Sequence, residues 1–455
     1  LLRNRRRSLA TLLAMAIGST AILLFGGFSD NIKYEMHTRY VQRGGHLQIQ
    51  HRDFYLYGSG NPDAYAISNY AEILAAIRND PVLSSMLVVA TPTLQFGGIA
   101  GNYAASVSRT IVGTGLVATD INLMRRWNDF GLRSKAPASA LEGSAPDAAV
   151  VGTGLARVLQ LCDALKIDRC PQPELPQKHD GKTIPNDIAQ LSLQETPATA
   201  GTPASRPGRV EVLVANAKGA PNVTSVDVIR AEDQGIKELD EIALMMHLAK
   251  VQQLIYGHSP PKANSIMIQL RHSDQIPLAR ARLQTIVAGF SAVQPLAVLD
   301  FRQLNPFYVQ TTRMFDTIFG FVFILIGGIV LFTINNTMNT AVIERTVEIG
   351  TLRALGLRQA GIRRLFVTEG ALLGVCGALL GVVLALGLAA LVNQMDIPWV
   401  PPTTVEPVPL TILVWGETRM MLGTTVGLIC IAILSAWWPA HRAARLDVVE
   451  ALRHA

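Results

Sequence analysis

Charge is scarce in this chain. Only 16% of its 455 residues are Asp, Glu, Lys or Arg, against about 25% in a typical soluble protein. A shortage of that size excludes an architecture bathed in water throughout and points to segments that sit in lipid. Catalytic signatures are missing too. No Gly-x-x-x-x-Gly-Lys-Ser/Thr phosphate loop occurs, no Gly-x-Ser-x-Gly elbow and no His-Glu-x-x-His, which leaves no sign of a bound nucleotide, a serine hydrolase or a zinc peptidase. The nine histidines do not cluster with the four cysteines, so a zinc site lacks ligands. No basic stripe interleaved with aromatics accompanies the net charge of +6, and a nucleic-acid partner is not expected.

What the chain does have is four long apolar runs: Leu9–Phe28, Thr317–Met338, Gly370–Val392 and Met420–Ala440. At about 1.5 Å rise per residue, runs of about 20 residues cross the hydrocarbon layer as helices. Arg3, Arg5, Arg6 and Arg7 precede the first. A signal peptide also begins with basic residues, but this run exceeds a signal core and no small-x-small cleavage site precedes Asp30, so a retained helix is expected. The runs contain none of the charged residues that a proton or ion relay needs in lipid, which disfavours a secondary transporter. Asn335, Asn336 and Asn339 are expected to meet headgroups. Gly370, Gly374, Gly377 and Gly381 form two Gly-x-x-x-Gly spacings that let helix backbones approach closely, without saying against what. Trp437 and Trp438 suit a membrane interface. Cys376 and Cys430 act there as small apolar groups.

The flanking charges orient the runs. Arg345, Arg353, Arg358, Arg363 and Arg364 follow the second, and Arg442, Arg445 and Arg453 follow the fourth. The loop after the third has no Lys or Arg before Arg419. The positive-inside rule therefore places both termini and the 339–367 loop in the cytoplasm. The fold class that follows is an α-helical membrane protein with four transmembrane helices plus a large α+β extracytoplasmic domain. Its expected divisions are 1–30 (N-terminus and first helix), 31–314 (outer domain), 315–338, 339–367, 368–393, 394–418, 419–440 and the tail 441–455.

Within the outer domain, residues 46–51 alternate as a half-buried strand does. Strands are also expected at 106–112, 148–151, 210–214, 226–229 and 265–270. Helices are expected at 69–79, where Asn69 and Glu72 have capping-box spacing, at 277–288, and over Ile236–Tyr256, with Leu239, Ile242, Met245 and Ala249 on one face. The methionines there are expected to serve packing. The Pro/Thr-rich stretch 171–208 cannot build a core and reads as a linker or insertion. Cys162 and Cys170 are expected to bridge if their compartment oxidises thiols, the alternative being two free thiols.

The cytoplasmic loop carries Glu344-Arg-Thr-Val-Glu-Ile-Gly-Thr-Leu-Arg-Ala-Leu-Gly356. Glu344, Arg345 and Glu348 can pair along a helix, Ile349, Leu352 and Leu355 give an apolar stripe, and Gly356 is a stop signal. Such a helix ordinarily lies on lipid. Yet this segment, with Arg353, resembles the FtsX/MacB-like family of ABC transporter permeases, and the likeness continues through Glu369-Gly370. A second piece, Trp438-Pro-Ala-His-Arg-Ala-Ala-Arg-Leu-Asp-Val-Val-Glu-Ala-Leu-Arg453, is similar to the family tail, with Val448 where proline is usual. Val151-Gly-Thr-Gly-Leu-Ala156 adds a weaker likeness.

The resemblance implies an FtsX-like permease domain over 315–455 and a coupling helix around Glu344–Gly356 that docks on an ATPase. No ATPase follows the fourth run, and the expectation is a separate subunit in two copies that binds ATP and magnesium, while this chain binds no cofactor and is not an enzyme. A second permease, identical or paralogous, is implied, along with membrane lipid and a periplasmic or outer-membrane protein partner, all at a bacterial inner membrane. The helices would act as levers on the outer domain, stiff because they lack internal proline. The implied cargo is a lipoprotein, a lipid or another amphipathic molecule, with trafficking of this kind ahead of MacB-type efflux, and FtsX-like signalling as a further class.

Overall fold

The computed structural model describes residues 5–58, 62–133, 136–167, 170, 208–290, 294–400 and 407–445. Apart from Gly208, the 171–208 stretch lies outside these, as do the end of the family-like tail (446–455) and Arg3. Along the chain, helix α1 (Arg5–Gly44) leads to strand β1 (Leu47–His51), helices α2 (Tyr70–Asn79) and α3 (Pro81–Met86), and strands β2 (Leu87–Asn102) and β3 (Val107–Leu116). Helix α4 (Ala118–Arg125), strand β4 (Ala148–Gly152) and helix α5 (Thr153–Val158) follow, then β5 (Arg209–Ala215), β6 (Pro221–Glu232) and β7 (Ala243–His247). Next come α6 (Leu248–Tyr256), β8 (Ser265–Leu270), α7 (Ile276–Phe290) and β9 (Leu296–Asp300). The chain ends in α8 (Pro306–Glu344), α9 (Thr346–Ala354), α10 (Gln359–Met395) and α11 (Thr418–Ala444).

These elements form two compact units. One comprises Leu1–His37, Pro306–Trp399 and Pro407–Ala455, the other Thr38–Asn305 and Val400–Glu406. In the first, α1, α8, α10 and α11 are each long and apolar enough to cross a membrane. A helix satisfies every backbone group internally, which is what lipid demands of a spanning segment. All four outrun the apolar runs that nucleate them: α8 has 39 residues and α10 has 37. The expected 339–367 loop is therefore mostly helix, broken only at Arg345 and at 355–358. Pro439 lies inside α11, contrary to the expectation of proline-free helices, and removes one backbone donor from its last turns.

The second unit is built on nine strands in the order β3-β7-β4-β6-β5-β2-β8-β1-β9, with β3 also paired to β2. That extra pairing closes β2, β3, β7, β4, β6 and β5 into a ring. β2 serves both halves: Leu87–Thr93 pairs with β8, and Leu94–Asn102 pairs with β3. Leu94, Phe96, Ala100, Val210, Val212, Val214, Leu244 and Met246 fill the ring interior, as alternation along strands requires. Cys162 and Cys170 are joined as a disulfide, Cα–Cα 6.3 Å. The Val151–Ala156 motif spans the β4–α5 turn, where the Asp240 carboxylate accepts the N–H groups of Thr153 at 2.9 Å and Gly154 at 2.6 Å.

The expected helix over Ile236–Tyr256 is corrected. Residues 243–247 form β7, which pairs parallel with β3 and antiparallel with β4, and only Leu248–Tyr256 is the long helix. Leu244 and Met246 are fully buried, whereas Leu239 is exposed, so alternation governs where a helical period was read. Met245 and Met246 serve packing in the two flanking cores. The capping box also fails: Asn69 precedes α2 but its side chain makes no cap bond. The working cap is Asp80, which ends α2 and begins α3. It accepts the N–H groups of Val82 and Leu83, each at 3.0 Å, and Arg282 Nε at 2.7 Å.

The Leu83 hydrogen bond, opposed by burial and aided by Arg282, holds the Asp80 carboxyl below its ordinary pKa. A depressed acid contributes stability above its unfolded pKa of about 3.9 and loses it as pH falls through the folded value. Asp80→Asn is expected to cost about 1–2 kcal/mol at neutral pH. Thermal unfolding of the full chain in detergent from neutral down to about pH 3 should show a smaller acid-side loss in this variant.

Candidate functional site

The sequence places its functional residues at the joint between α8 and α10. α8 ends at Glu344, and the Arg345 N–H is shared between the carbonyls of Ala341 at 3.2 Å and Val342 at 3.3 Å. The Ile349 N–H returns to the Arg345 carbonyl at 2.9 Å, opening α9. At the far end, Gly356 donates to Arg353 at 3.0 Å and Leu357 donates to Leu352 at 3.1 Å. This pair of bonds is a Schellman stop, and it needs the left-handed φ of +95° that Gly356 adopts. α9 is thus a short rod with a defined break on each side.

The rod is pinned at two points. Ile349 is 3% exposed and packs among Val342, Ile362, Phe366, Ala440 and Ala443. Arg345 donates through Nη1 to Glu369 of α10 at 3.3 Å, with both side chains largely shielded. The apolar stripe read from sequence is split. With about 100° of turn per residue, Leu355 lies a third of a turn away from Ile349 and is 80% exposed. Leu352, Val347 and Ile343 are exposed as well, and Glu348 lies beside them on the open face. One residue therefore anchors the rod, and the others present an apolar surface edged by charge.

Glu369 stands directly before the glycine ladder of α10. A Cβ at Gly370 would collide with Ala436, and one at Gly374 would lie 2.7 Å from the Ala432 Cβ, both on α11. A Cβ at Gly377 would lie 2.7 Å from the Met15 Cβ, and one at Gly381 would collide with Ser19, both on α1. The two Gly-x-x-x-Gly spacings thus seat α10 against two different helices. Ser19 Oγ donates to the Ala378 carbonyl at 3.4 Å and Thr20 Oγ1 to the Gly381 carbonyl at 3.1 Å, contacts that only close backbones permit.

Sequence reasoning missed two features. Glu369 appeared only as part of a pattern, although a lone acid at the edge of an apolar run is a recognisable signal. Asn393 gave no signal. Its side chain donates to the Ile412 carbonyl at 3.0 Å and accepts the Ile412 N–H at 2.8 Å, while the Leu413 N–H reaches the Gly27 carbonyl at 3.1 Å. The segment after the third spanning helix is therefore strapped to α10 and α1. The disulfide Cys162–Cys170 belongs to the sheet unit. Among the described residues no three His, Cys, Asp or Glu side chains converge to hold a metal.

Residues 317–448 match the family model of the FtsX-like permease C-terminal domain. The chain is 23% identical over 248 residues to an uncharacterized ABC transporter permease of Methanocaldococcus jannaschii, covering 50% of this chain and 57% of that protein. It is 28% identical over 200 residues to the macrolide export ATP-binding/permease protein MacB of Bdellovibrio bacteriovorus, covering 42% and 28%. It is 38% identical over 131 residues to the pyoverdine export ATP-binding/permease protein PvdT of Pseudomonas savastanoi pv. phaseolicola, covering 28% and 17%. The chain spans little more than half the length of the first of these relatives and less of the others.

The glycine ladder makes a testable demand. Gly374→Leu must overpack the α10–α11 contact and is expected to cost about 1–3 kcal/mol or more. Gly387→Leu, on the same helix with nothing within 4 Å of its Cβ position, should leave stability within about 0.5 kcal/mol. Melting of the two variants in detergent separates these outcomes.

Proposed function

We propose that this chain, which carries an FtsX-like permease domain over residues 317–448, is the membrane-spanning part of an ABC transporter whose ATPase docks on α9. The observation that carries the reading is the asymmetry of α9. Ile349 and the Arg345–Glu369 pair tie it to the spanning helices, while Ile343, Val347, Leu352 and Leu355 stand exposed. An apolar surface edged by charge, next to lipid yet fixed at a joint between two spanning helices, suits a protein partner that pushes. The relatives, permeases of ABC transporters by name, support it.

In this reading the Arg-rich side, with α9 and both termini, faces the cytoplasm, and the sheet unit faces outward. The partner holds ATP and magnesium, in two copies, and works with two permeases. Closure of the ATPases moves α9, and the Arg345–Glu369 pair delivers that motion to α10 one residue before its ladder begins. The spanning helices transmit it to the outer side, a rigid-body mode of conformational transfer. Two of the relatives are export proteins by name, for a macrolide and for pyoverdine. Those names support export of an amphipathic small molecule over lipoprotein release, with an outer partner completing the route.

The test is ATP hydrolysis by the reconstituted complex of this chain and its ATPase in lipid nanodiscs. Leu355→Asp and Leu352→Asp are expected to lower cargo-stimulated hydrolysis about tenfold or more, as loss of an interface anchor does, without lowering the amount of folded permease. Unchanged stimulation and unchanged co-purification would reject the docking role. Arg345→Glu should uncouple stimulation, and the reversed pair Arg345→Glu/Glu369→Arg should recover a measurable part of it. No recovery would mean that this pair does not transmit the motion.

A further inference from the structure

The last turns of α1 belong to the sheet unit and are pinned from one side. Thr38 and Val41 are buried. Gln42 Nε2 donates to the Trp127 carbonyl at 2.8 Å, and Gln269 Nε2 donates to the Val41 carbonyl at 3.3 Å. These contacts fix the rotation of the helix end and thereby aim what lies on another face. Arg39 and Arg43, one turn apart, both reach the turn Asp233-Gln234-Gly235. A Cβ at Gly235 would sit 3.4 Å from Arg39 Nη1 and 3.4 Å from Arg43 Nη2. Two guanidinium groups therefore converge over one backbone position. Arg39 is half-buried and Arg43 more exposed along its side chain, although burial is the largest influence on the Arg43 guanidinium itself.

Two of the other charged groups around this point already have partners. Arg125, the third arginine of the cluster, is committed to Glu232 at 2.7 Å and to the Pro137 carbonyl at 2.9 Å. Asp233 spends Oδ1 on the Gly235 N–H at 2.8 Å. Among the described residues no carboxylate lies within ion-pair distance of Arg39 or Arg43. Burial first, and then repulsion from Arg39, holds the Arg43 guanidinium below its ordinary pKa, while Asp233 opposes the shift and Arg125 adds to it. Like charges one helical turn apart are destabilising, and the buried contacts of Val41 and Gln42 stop the helix from turning them away. A bound anion would relieve this repulsion.

We infer that Arg39 and Arg43, where they converge over Gly235, form a binding site for a phosphate group, carried on a lipid headgroup or free in solution. A guanidinium presents a planar fork of donors that matches phosphate geometry. A phosphate offers three or four oxygens spread in three dimensions, enough to accept from two forks at once. The site goes beyond the coupling role of α9 and stands on separate residues, so either can fail alone.

The experiment uses the full chain in neutral detergent. It is titrated in parallel with inorganic phosphate, with phosphatidylglycerol and with zwitterionic phosphatidylcholine in mixed micelles, and binding is read by native mass spectrometry and thermophoresis. Arg39→Gln/Arg43→Gln is expected to weaken binding about tenfold or more, the scale of two charge-assisted contacts. Gly235→Asp and Gly235→Asn form a matched pair, because both residues tolerate the left-handed φ of +69° at this position. The Asp variant places a carboxylate between the guanidiniums and should block the site, while the neutral Asn variant should bind within about twofold of the parent. This pair decides the matter even if the double Gln variant misfolds. Arginine-dependent capture of phosphatidylglycerol identifies a lipid source, and arginine-dependent binding of inorganic phosphate alone identifies a soluble one. Binding that survives in both the Gly235→Asp and the double Gln variants overturns the site, as does a parent chain that takes up neither probe.

Discussion

The helical unit depends on how closely α10 can approach its neighbours. In lipid no hydrophobic force drives helices together, so association rests on van der Waals contact and on short polar bonds that only near backbones can make. Gly370 and Gly374 admit Ala436 and Ala432 of α11, and one further turn along, Gly377 and Gly381 admit Met15 and Ser19 of α1. At about 100° per residue, steps of four, three and four residues nearly cancel, so all four glycines keep to one face of α10 over about three turns. One ladder of glycines can therefore serve two partners in succession. The Thr20 hydroxyl bond to the Gly381 carbonyl is a consequence of the same proximity.

Under the proposed function, that packing is what would make the α9 joint mechanical. Arg345 and Glu369 meet immediately before the ladder begins, where α10 has least freedom to absorb a displacement internally. A push on a free loop would dissipate in backbone torsions. In the proposed coupling, a push on a rod that is stopped by Gly356, anchored by Ile349 and paired to the base of a close-packed helix would move the helix. Leu352 and Leu355 can be exposed without loss to the fold because Ile349 and the Arg345–Glu369 pair already anchor the rod.

In the sheet unit the equivalent constraint is the double membership of β2. Over its first half it has a strand neighbour on one side only, β8, which is why Pro92 is tolerated there: a residue without an N–H costs nothing where no ladder bond is due. Over its second half it pairs with β3 and, at Gly98–Gly101, with β5, and so closes the ring. Closure removes exposed strand edges from that half of the unit. It also explains why β7 is a strand. Among the described residues Ala243–His247 is the strand between β3 and β4 in the ring, and the bonds gained on both sides outweigh a sequence that reads equally well as helix.

The amino-acid sequence by itself determined the four spanning helices, the isolated strands near 47, 210 and 265, and the short rod ending at Gly356. Each depends on local chemistry: an uncharged run must be helical in lipid, an alternating run must bury one face, and a left-handed stop needs glycine. The glycine spacings announced close packing, but only the tertiary structure named α11 and α1 as the partners, since a spacing carries no address. It also decided the fate of 243–247, the joining of both sheet halves through a strand interrupted by Pro92 and Gly97-Gly98, the separation of Ile349 from Leu352 and Leu355, and the convergence of Arg39 and Arg43 on Gly235. In every one of these cases the deciding contact comes from residues remote along the chain, where pairing and burial outweigh the small local preferences that a sequence displays.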